Sequence, residues 1–191
     1  MRAIYSYTGR LIGPDGDVPS LQDIAVQEGR LCRYAGAGIR FWPVLLHSIV
    51  VAELLPPDLK AYGLLHDAGE CVSNDVPSPV KAEEHKQWEN PYIFRIFSEF
   101  GLPVLSTQHW EWVKLADALA LRGEVWTVGN QALQQFYQDR DKEAENLVLE
   151  FANRFPPMEC ISPDGLAVVE FIRRFRDYKD ILEKENKQDN G

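Results

Sequence analysis

Apolar and polar positions fall into blocks of helical period along most of the chain. The clearest is Val44-Leu45-Leu46-His47-Ser48-Ile49-Val50-Val51-Ala52-Glu53-Leu54-Leu55, framed by Pro43 and Pro56-Pro57. It is apolar nearly all round, so it predicts a central, buried helix rather than a surface one. His47 falls on the face shared by Val44, Val51 and Leu54. From Pro57-Asp58 a second block places Leu59, Tyr62, Gly63, His66 and Glu70 on one face at spacings of three and four.

Other blocks surround these two. Residues 1–20 are broken by Gly9, Gly13, Pro14, Gly16 and Pro19 and predict a short extended lead with a turn at Pro14-Asp15-Gly16-Asp17. Ser20, with Asp23 three residues on, predicts a capped helix over 21–34. Ala35-Gly36-Ala37-Gly38 ends it. That loop lacks a preceding strand and a Gly-Lys-Ser/Thr sequence, so it is no phosphate loop. Ser73 to Lys81 is a polar, proline-rich loop, a kind that often carries function when a rigid scaffold holds it. Helical patterns follow over 82–100 (nicked at Asn90-Pro91), 107–126, 130–155 and 163–185, and the charged tail 183–191 is expected to fray. The 107–126 pattern aligns Lys114, Asp117, Leu121 and Glu124. No segment alternates with period two for long. The expectation is all-α: one compact helical domain over 1–191, without repeats or linkers.

Composition narrows the function. The net charge of −9 argues against a general nucleic-acid binder, which would show a basic surface. A small anionic substrate remains open, because a metal and a few Arg or Lys can reverse the field locally. Cys32, Cys71 and Cys160 are odd in number and far apart, which predicts neither a disulfide framework nor a thiolate zinc site. No apolar run reaches transmembrane length and no signal-peptide pattern opens the chain, so a cytoplasmic setting without membrane contact is expected.

Four polar residues stand out within apolar surroundings: His47, the pair His66-Asp67, and Asp117 in Leu-Ala-Asp-Ala-Leu. Each alone has a plain reading. A histidine on an apolar helix is often a hydrogen-bonded core residue, and Asp67 can cap a helix or pair with an arginine. A carboxylate among Ala and Leu is costly to bury unless it is paired or metal-bound, which makes Asp117 the most telling. Together the four point to one divalent metal, and imidazole plus carboxylate suit Mn, Co, Zn or Mg. Glu70, one turn beyond His66, is placed to handle a proton or orient a water.

His47-Ser48, Leu64-Leu65-His66-Asp67-Ala68-Gly69-Glu70, Asp75-Val76-Pro77-Ser78-Pro79-Val80-Lys81 and Val113-Lys114-Leu115-Ala116-Asp117 resemble the HD-domain metal-dependent phosphohydrolases. The nearest likeness is to the small 5′-deoxyribonucleotidase branch and to phage and bacterial HD hydrolases that include deoxynucleoside triphosphate hydrolases. Asp23-Ile24-Ala25 and Cys32-Arg33-Tyr34 extend it, from about residue 8 to residue 125. Residues beyond about 130 carry no recognised motif. The chain departs from the pattern at Leu46, where some members have Glu, at Gly36 and Gly38, and at Arg40-Phe41-Trp42.

The resemblance implies an HD-type helical bundle in which His47, His66, Asp67 and Asp117 bind one catalytic metal and Glu70 does acid–base work. It implies that Arg33 and Lys81 contact the substrate phosphate and that Asp75 lies near the sugar and the attacking water. Tyr34 or Trp42 is placed to stack on a base, or to fill core, and Lys114 and Glu124 either to extend the phosphate site or only to form a set of charges on the helix face. The expected reaction is attack of a metal-activated water on phosphorus of a (deoxy)nucleotide, foremost a 5′-deoxyribonucleotide monophosphate. Alternatives are triphosphate release from a deoxynucleoside triphosphate such as dATP, and a non-catalytic nucleotide- or metal-binding module. The aromatic residues Trp88, Tyr92, Trp110 and Trp112 fit either the core or a face between two copies, and a homodimer is the expectation.

Overall fold

Val44 to Ala52 are all buried, and the helix they form is the axis of the molecule. In the computed structural model, residues 2–77 and 80–188 are described, without the side chains of 84–86 and 186–188. A small antiparallel hairpin, β1 (Ile4–Tyr5) and β2 (Leu11–Ile12), opens the chain. The helices that follow are α1 (Leu21–Glu28), α2 (Val44–Glu53), α3 (Lys60–Leu65), α4 (Glu70–Ser73), α5 (Glu83–Glu99), α6 (Thr107–Thr127), α7 (Gln131–Phe136), α8 (Lys142–Arg154), α9 (Pro157–Ile161) and α10 (Leu166–Gln188). Short 3₁₀ turns lie at Arg33–Gly36 and Pro57–Leu59. The chain is mostly helical, as its pattern predicts; the hairpin is the addition to an all-α reading.

Packing, not propensity, makes α2. Val and Ile each weaken a helix by a few tenths of a kcal/mol, up to ~0.7 kcal/mol. Burying each is worth ~1.5–3 kcal/mol, so burial decides. Ile49, Val50 and Val51 are fully buried, as are Leu45 and Leu46 to within a percent. His47 and Ser48 are the polar members of that buried run.

Several boundaries differ from the sequence expectation. The capping box at Ser20 and Asp23 forms as predicted, but α1 stops at Glu28 rather than running to residue 34. The segment beyond it turns back: the Arg33 N–H donates to the Trp42 carbonyl and the Val44 N–H to the Leu31 carbonyl, which closes 31–44 into a loop. The helix expected from Pro57 through Glu70 is broken. α3 ends at Leu65, and α4 begins at Glu70 after a turn that carries His66 and Asp67. The 130–155 block splits into α7 and α8, with α8 capped by Asp141. Pro157 starts a short α9 that the pattern did not reveal. α10 continues through Gln188, past the point where fraying was expected, and 189–191 lie outside the described residues. No helix among the described residues is long and apolar enough to cross a membrane, and all three cysteines are free.

Two glycines allow the helices around the site to approach. A Cβ on Gly63 would lie 2.5 Å from Leu55 Cδ1 and 3.1 Å from Ala52 Cα, so α3 crosses α2 closely there. A Cβ on Gly123 would lie 2.5 Å from the Ala144 carbonyl carbon, which brings α8 directly against α6. α10 packs across α1, α2 and α3 and closes the core from the other side. Tyr92 is buried, and Trp88 and Trp110 pack against the core, while Trp112 is partly exposed.

Candidate metal centre and substrate cleft

α2, the turn after α3, and α6 each deliver polar side chains to one point. His47 comes from α2, His66 and Asp67 from the α3–α4 turn, and Asp117 from α6. His47 Nε2 lies 3.3 Å from His66 Nε2, 3.5 Å from Asp67 Oδ2 and 3.1 Å from Asp117 Oδ1. His66 Nε2 lies 3.2 Å from Asp67 Oδ2 and 3.9 Å from Asp117 Oδ1. The sequence-expected ligands therefore converge. His47, His66 and Asp67 form the tight trio, with ligand atoms all within 4.8 Å of one another. Asp117 is half-exposed and adds a fourth oxygen from the open side.

The outer ring nitrogens settle how these histidines present themselves. His66 Nδ1 is 2.8 Å from the Gly63 carbonyl, which can only accept, so Nδ1 carries the proton. His47 Nδ1 is 2.6 Å from Glu124 Oε1 and donates to it. Both Nε2 atoms then turn toward each other and toward two carboxylates. Such an arrangement holds positive charge. Burial and the Arg33 guanidinium disfavour a charged His47, but Glu124 and Asp117 outweigh them and push it up to about 10. Burial opposes ionisation of Asp67 as well, yet His66, His47 and Arg33 hold its carboxyl well below the usual carboxylate range.

A divalent ion fits the same donors. Two ligand atoms each ~2.1 Å from one ion and ~90–109° apart are separated by ~3.0–3.4 Å. The separations of 3.1, 3.2 and 3.3 Å fall in that range, while those of 3.5 Å (His47–Asp67) and 3.9 Å (His66–Asp117) lie above it. Both histidines donate their other ring nitrogen to an acceptor, the usual arrangement around a ligating imidazole.

The cluster forms one wall of a cavity of about 210 Å³. Arg33, Tyr34, Glu70, Asp75, Val76, Pro77, Lys81, Leu121 and Tyr137 complete the lining. Arg33 arrives from the 31–44 loop. Its Nε donates to Glu124 Oε2 at 3.1 Å, and a terminal nitrogen lies 3.6 Å from Asp67 Oδ2. Tyr34 follows in the left-handed region (φ 59°), as do Ala35 (φ 50°) and Asn74 (φ 62°) on the other side of the cleft. For non-glycine residues such backbone costs ~1–3 kcal/mol each and tends to collect at functional sites. The loop tip is tied to the end of α6 by the Ile39 N–H on the Val128 carbonyl and by Asn130 on the Ala37 carbonyl.

Glu70 is buried, and its Oε2 has no hydrogen-bond partner. Burial, then the nearby Asp67 and Asp75 carboxylates, raise it well above the ordinary glutamate range. Burial also raises Asp75. A carboxyl that holds its proton more tightly than usual beside a cluster of metal-type ligands is suited to proton transfer.

A second cavity of about 170 Å³ lies on the far side of the cluster. It shares Asp67, Lys81 and Asp117 with the first and adds Asn90, Trp110 and Lys114 among others. Lys81 lines both, but its Nζ is already paired with Glu89 at 2.6 and 2.8 Å. Lys114 reaches Glu111 at 2.9 Å and sits over the Trp110 ring. Ser78 and Pro79 of the proline-rich segment lie outside the described residues.

One expected contact is corrected. Trp42 is only 1% exposed and lines neither cavity, so it is core and has no face for a base. Its indole nitrogen is buried there without a hydrogen-bond partner. Sequence reasoning missed Tyr137 as a cleft wall, and it put Leu121 and Glu124 on the Asp117 face without revealing that Glu124 bonds His47, Arg33 and Tyr34. Arg10 pairs with Asp17 and Arg122 with Asp139, away from the site.

No known family's sequence profile matches the chain. It is 35% identical over 107 residues to YfdR of Escherichia coli (strain K12), a protein described as uncharacterized. The match covers 54% of this chain and 58% of that protein.

Proposed function

We propose that the chain is an HD-domain metal-dependent phosphohydrolase acting on (deoxy)nucleotides, with a deoxynucleoside 5′-monophosphate as its foremost substrate. The observation that carries this reading is the meeting, in one cleft, of the four-residue donor cluster, the Arg33 guanidinium and the unpartnered Glu70 carboxyl. A structural metal site needs the first of these and neither of the others.

His47, His66, Asp67 and Asp117 would hold a divalent ion, and that ion would supply a nucleophile near neutral pH by making water more acidic. Arg33 binds the phosphate oxygens; its Nε is anchored on Glu124, which fixes the plane of the fork. Glu70, whose buried setting favours its protonated form, gives a proton to the departing ester oxygen. Asp75 faces the same space and is placed for the sugar hydroxyl. Tyr34, Val76, Pro77, Leu121 and Tyr137 offer apolar surface to the base.

A second reading has its own support. The cavity holding Lys81 and Lys114 adjoins the same carboxylates, and it suits a longer phosphate chain. That favours triphosphate release from a deoxynucleoside triphosphate.

Incubation of the protein with Mn²⁺ or Co²⁺ and panels of deoxynucleoside mono- and triphosphates, followed by separation of products, tests both. Orthophosphate from a monophosphate is expected. Inorganic triphosphate from a triphosphate moves the assignment to the second reading. Metal and nucleotide binding with no product under any metal leaves a binding module and removes both.

A further inference from the structure

Glu124 is fully buried and carries no recognised motif around it, yet both oxygens of its carboxylate are bonded to residues of the site. Oε1 accepts from His47 Nδ1 at 2.6 Å. Oε2 accepts from Arg33 Nε at 3.1 Å and from the Tyr34 hydroxyl at 2.8 Å. We infer that Glu124 is a positioning residue that couples the metal pocket to the phosphate-binding arginine, through one carboxylate bonded to both. The inference rests on the proposed metal and phosphate roles of the cleft.

Each bond has a separate effect. A carboxylate can only accept, so the proton of His47 is fixed on Nδ1 and the Nε2 lone pair is presented to the ligand cluster. The same carboxylate neutralises Arg33 where a bare guanidinium, 3.6 Å from Asp67, would compete with a metal for that oxygen. The Tyr34 hydroxyl holds the left-handed turn that projects Arg33 into the cleft. Glu124 sits two turns after Asp117 on α6, so one helix supplies both a ligand and the support for the ligand opposite. Gly123 then lets α8 pack against that helix directly behind the carboxylate.

Glutamine cannot replace it. Its amide has one acceptor oxygen, and its NH₂ would face the His47, Arg33 or Tyr34 donors with nothing to receive it. Removal of a partner of this kind lowers metal affinity by about 10- to 100-fold.

The test uses the full chain. Mn²⁺ affinity is measured by calorimetry against a competing chelator, and inorganic phosphate affinity separately on metal-free and metal-loaded protein. Glu124→Gln is expected to weaken Mn²⁺ by about 10- to 100-fold and to weaken phosphate in the metal-free protein too. Arg33→Met is expected to lose phosphate while keeping or tightening Mn²⁺. Should Glu124→Gln fail to fold, long-range ¹H–¹⁵N spectra of the wild-type protein loaded with Zn²⁺ decide instead. They are expected to show His47 protonated on Nδ1. A metal on His47 Nδ1, or a folded Glu124→Gln that binds Mn²⁺ as tightly as wild type, overturns the inference. If the metal result holds while the wild type turns over no nucleotide, Glu124 keeps its role and the hydrolase reading alone falls.

Discussion

His47 Nε2 and His66 Nε2 face each other at 3.3 Å, and each ring turns its Nδ1 away onto an acceptor. Two lone pairs held this close repel unless positive charge lies between them. A buried helix and the turn after α3 thus hold an arrangement that is stable only with a cation or a proton in place.

Metal should therefore raise stability. At a free concentration of 100 times its dissociation constant, a ligand specific to the folded state adds ~2.7 kcal/mol. For a chain of this size that is ~5–10 °C in Tm. Differential scanning calorimetry with Mn²⁺ and with a chelator should show this shift, and His66→Ala should abolish it. An identical Tm in both conditions would count against the site.

Asp67→Ala should lose metal and activity while the chain stays folded, because Asp67 touches both histidines. Glu70→Gln should keep metal and slow turnover by about 10²- to 10⁴-fold, the usual worth of a proton-transfer group. Metal content and kcat, measured on the same samples, separate the two residues. Full turnover by Glu70→Gln would remove it from the chemistry.

Glu28 makes a prediction about pH. It is fully buried behind α2, bonded only through one oxygen to the Ser48 hydroxyl at 3.3 Å. Burial, then the Asp67 charge, raise it well above the ordinary 4.5. The folded state thus binds this proton more tightly than the unfolded chain, and stability falls as pH rises above about 4.5 toward the raised value. Glu28→Gln, which cannot ionise, should gain over wild type as pH increases and match it near pH 4. A gap in urea midpoint that stays constant between pH 4 and 8 would mean that Glu28 does not titrate in that window.

Gly63→Ala should destabilise the fold and also weaken metal binding. The added methyl meets Ala52 Cα at 3.1 Å and Leu55 at 2.5 Å. Overpacking of this kind costs ~1–3 kcal/mol, against ~1 kcal/mol gained in helix propensity. Because the Gly63 carbonyl orients His66, a shift of α3 reaches the metal cluster. Urea unfolding and a metal titration report the two effects independently.

The ligand residues were legible because polar side chains are conspicuous against Val, Leu and Ala: His47 inside an apolar run, Asp117 between alanines. Ser20 and Asp23 were legible because a capping box is local. Glu124 was visible only as a charge on the face of Asp117. Its partners lie some ninety residues upstream, |i−j| of 91 for Arg33 and 90 for Tyr34, and no short-range pattern encodes such a meeting. The break at His66 was hidden for a related reason. Residues 57 to 70 keep helical spacing, and the turn arises as α3 packs on α2 at Gly63. Trp42 reads like a stacking residue beside Arg40, but its place inside the 31–44 loop turns it into the core. Tyr137 follows a helix end that the pattern ran straight through.

The pairing of every cleft cation has a kinetic meaning. Arg33 is held by Glu124 and Asp67, Lys81 by Glu89 and Lys114 by Glu111. Asp67, Glu70, Asp75 and Asp117 line the same space. On the proposed reading, the metal-free pocket binds phosphate more weakly than the metal-loaded one, because a divalent ion adds positive charge beside these carboxyls. On that reading the favoured order is the ion first and the phosphate second.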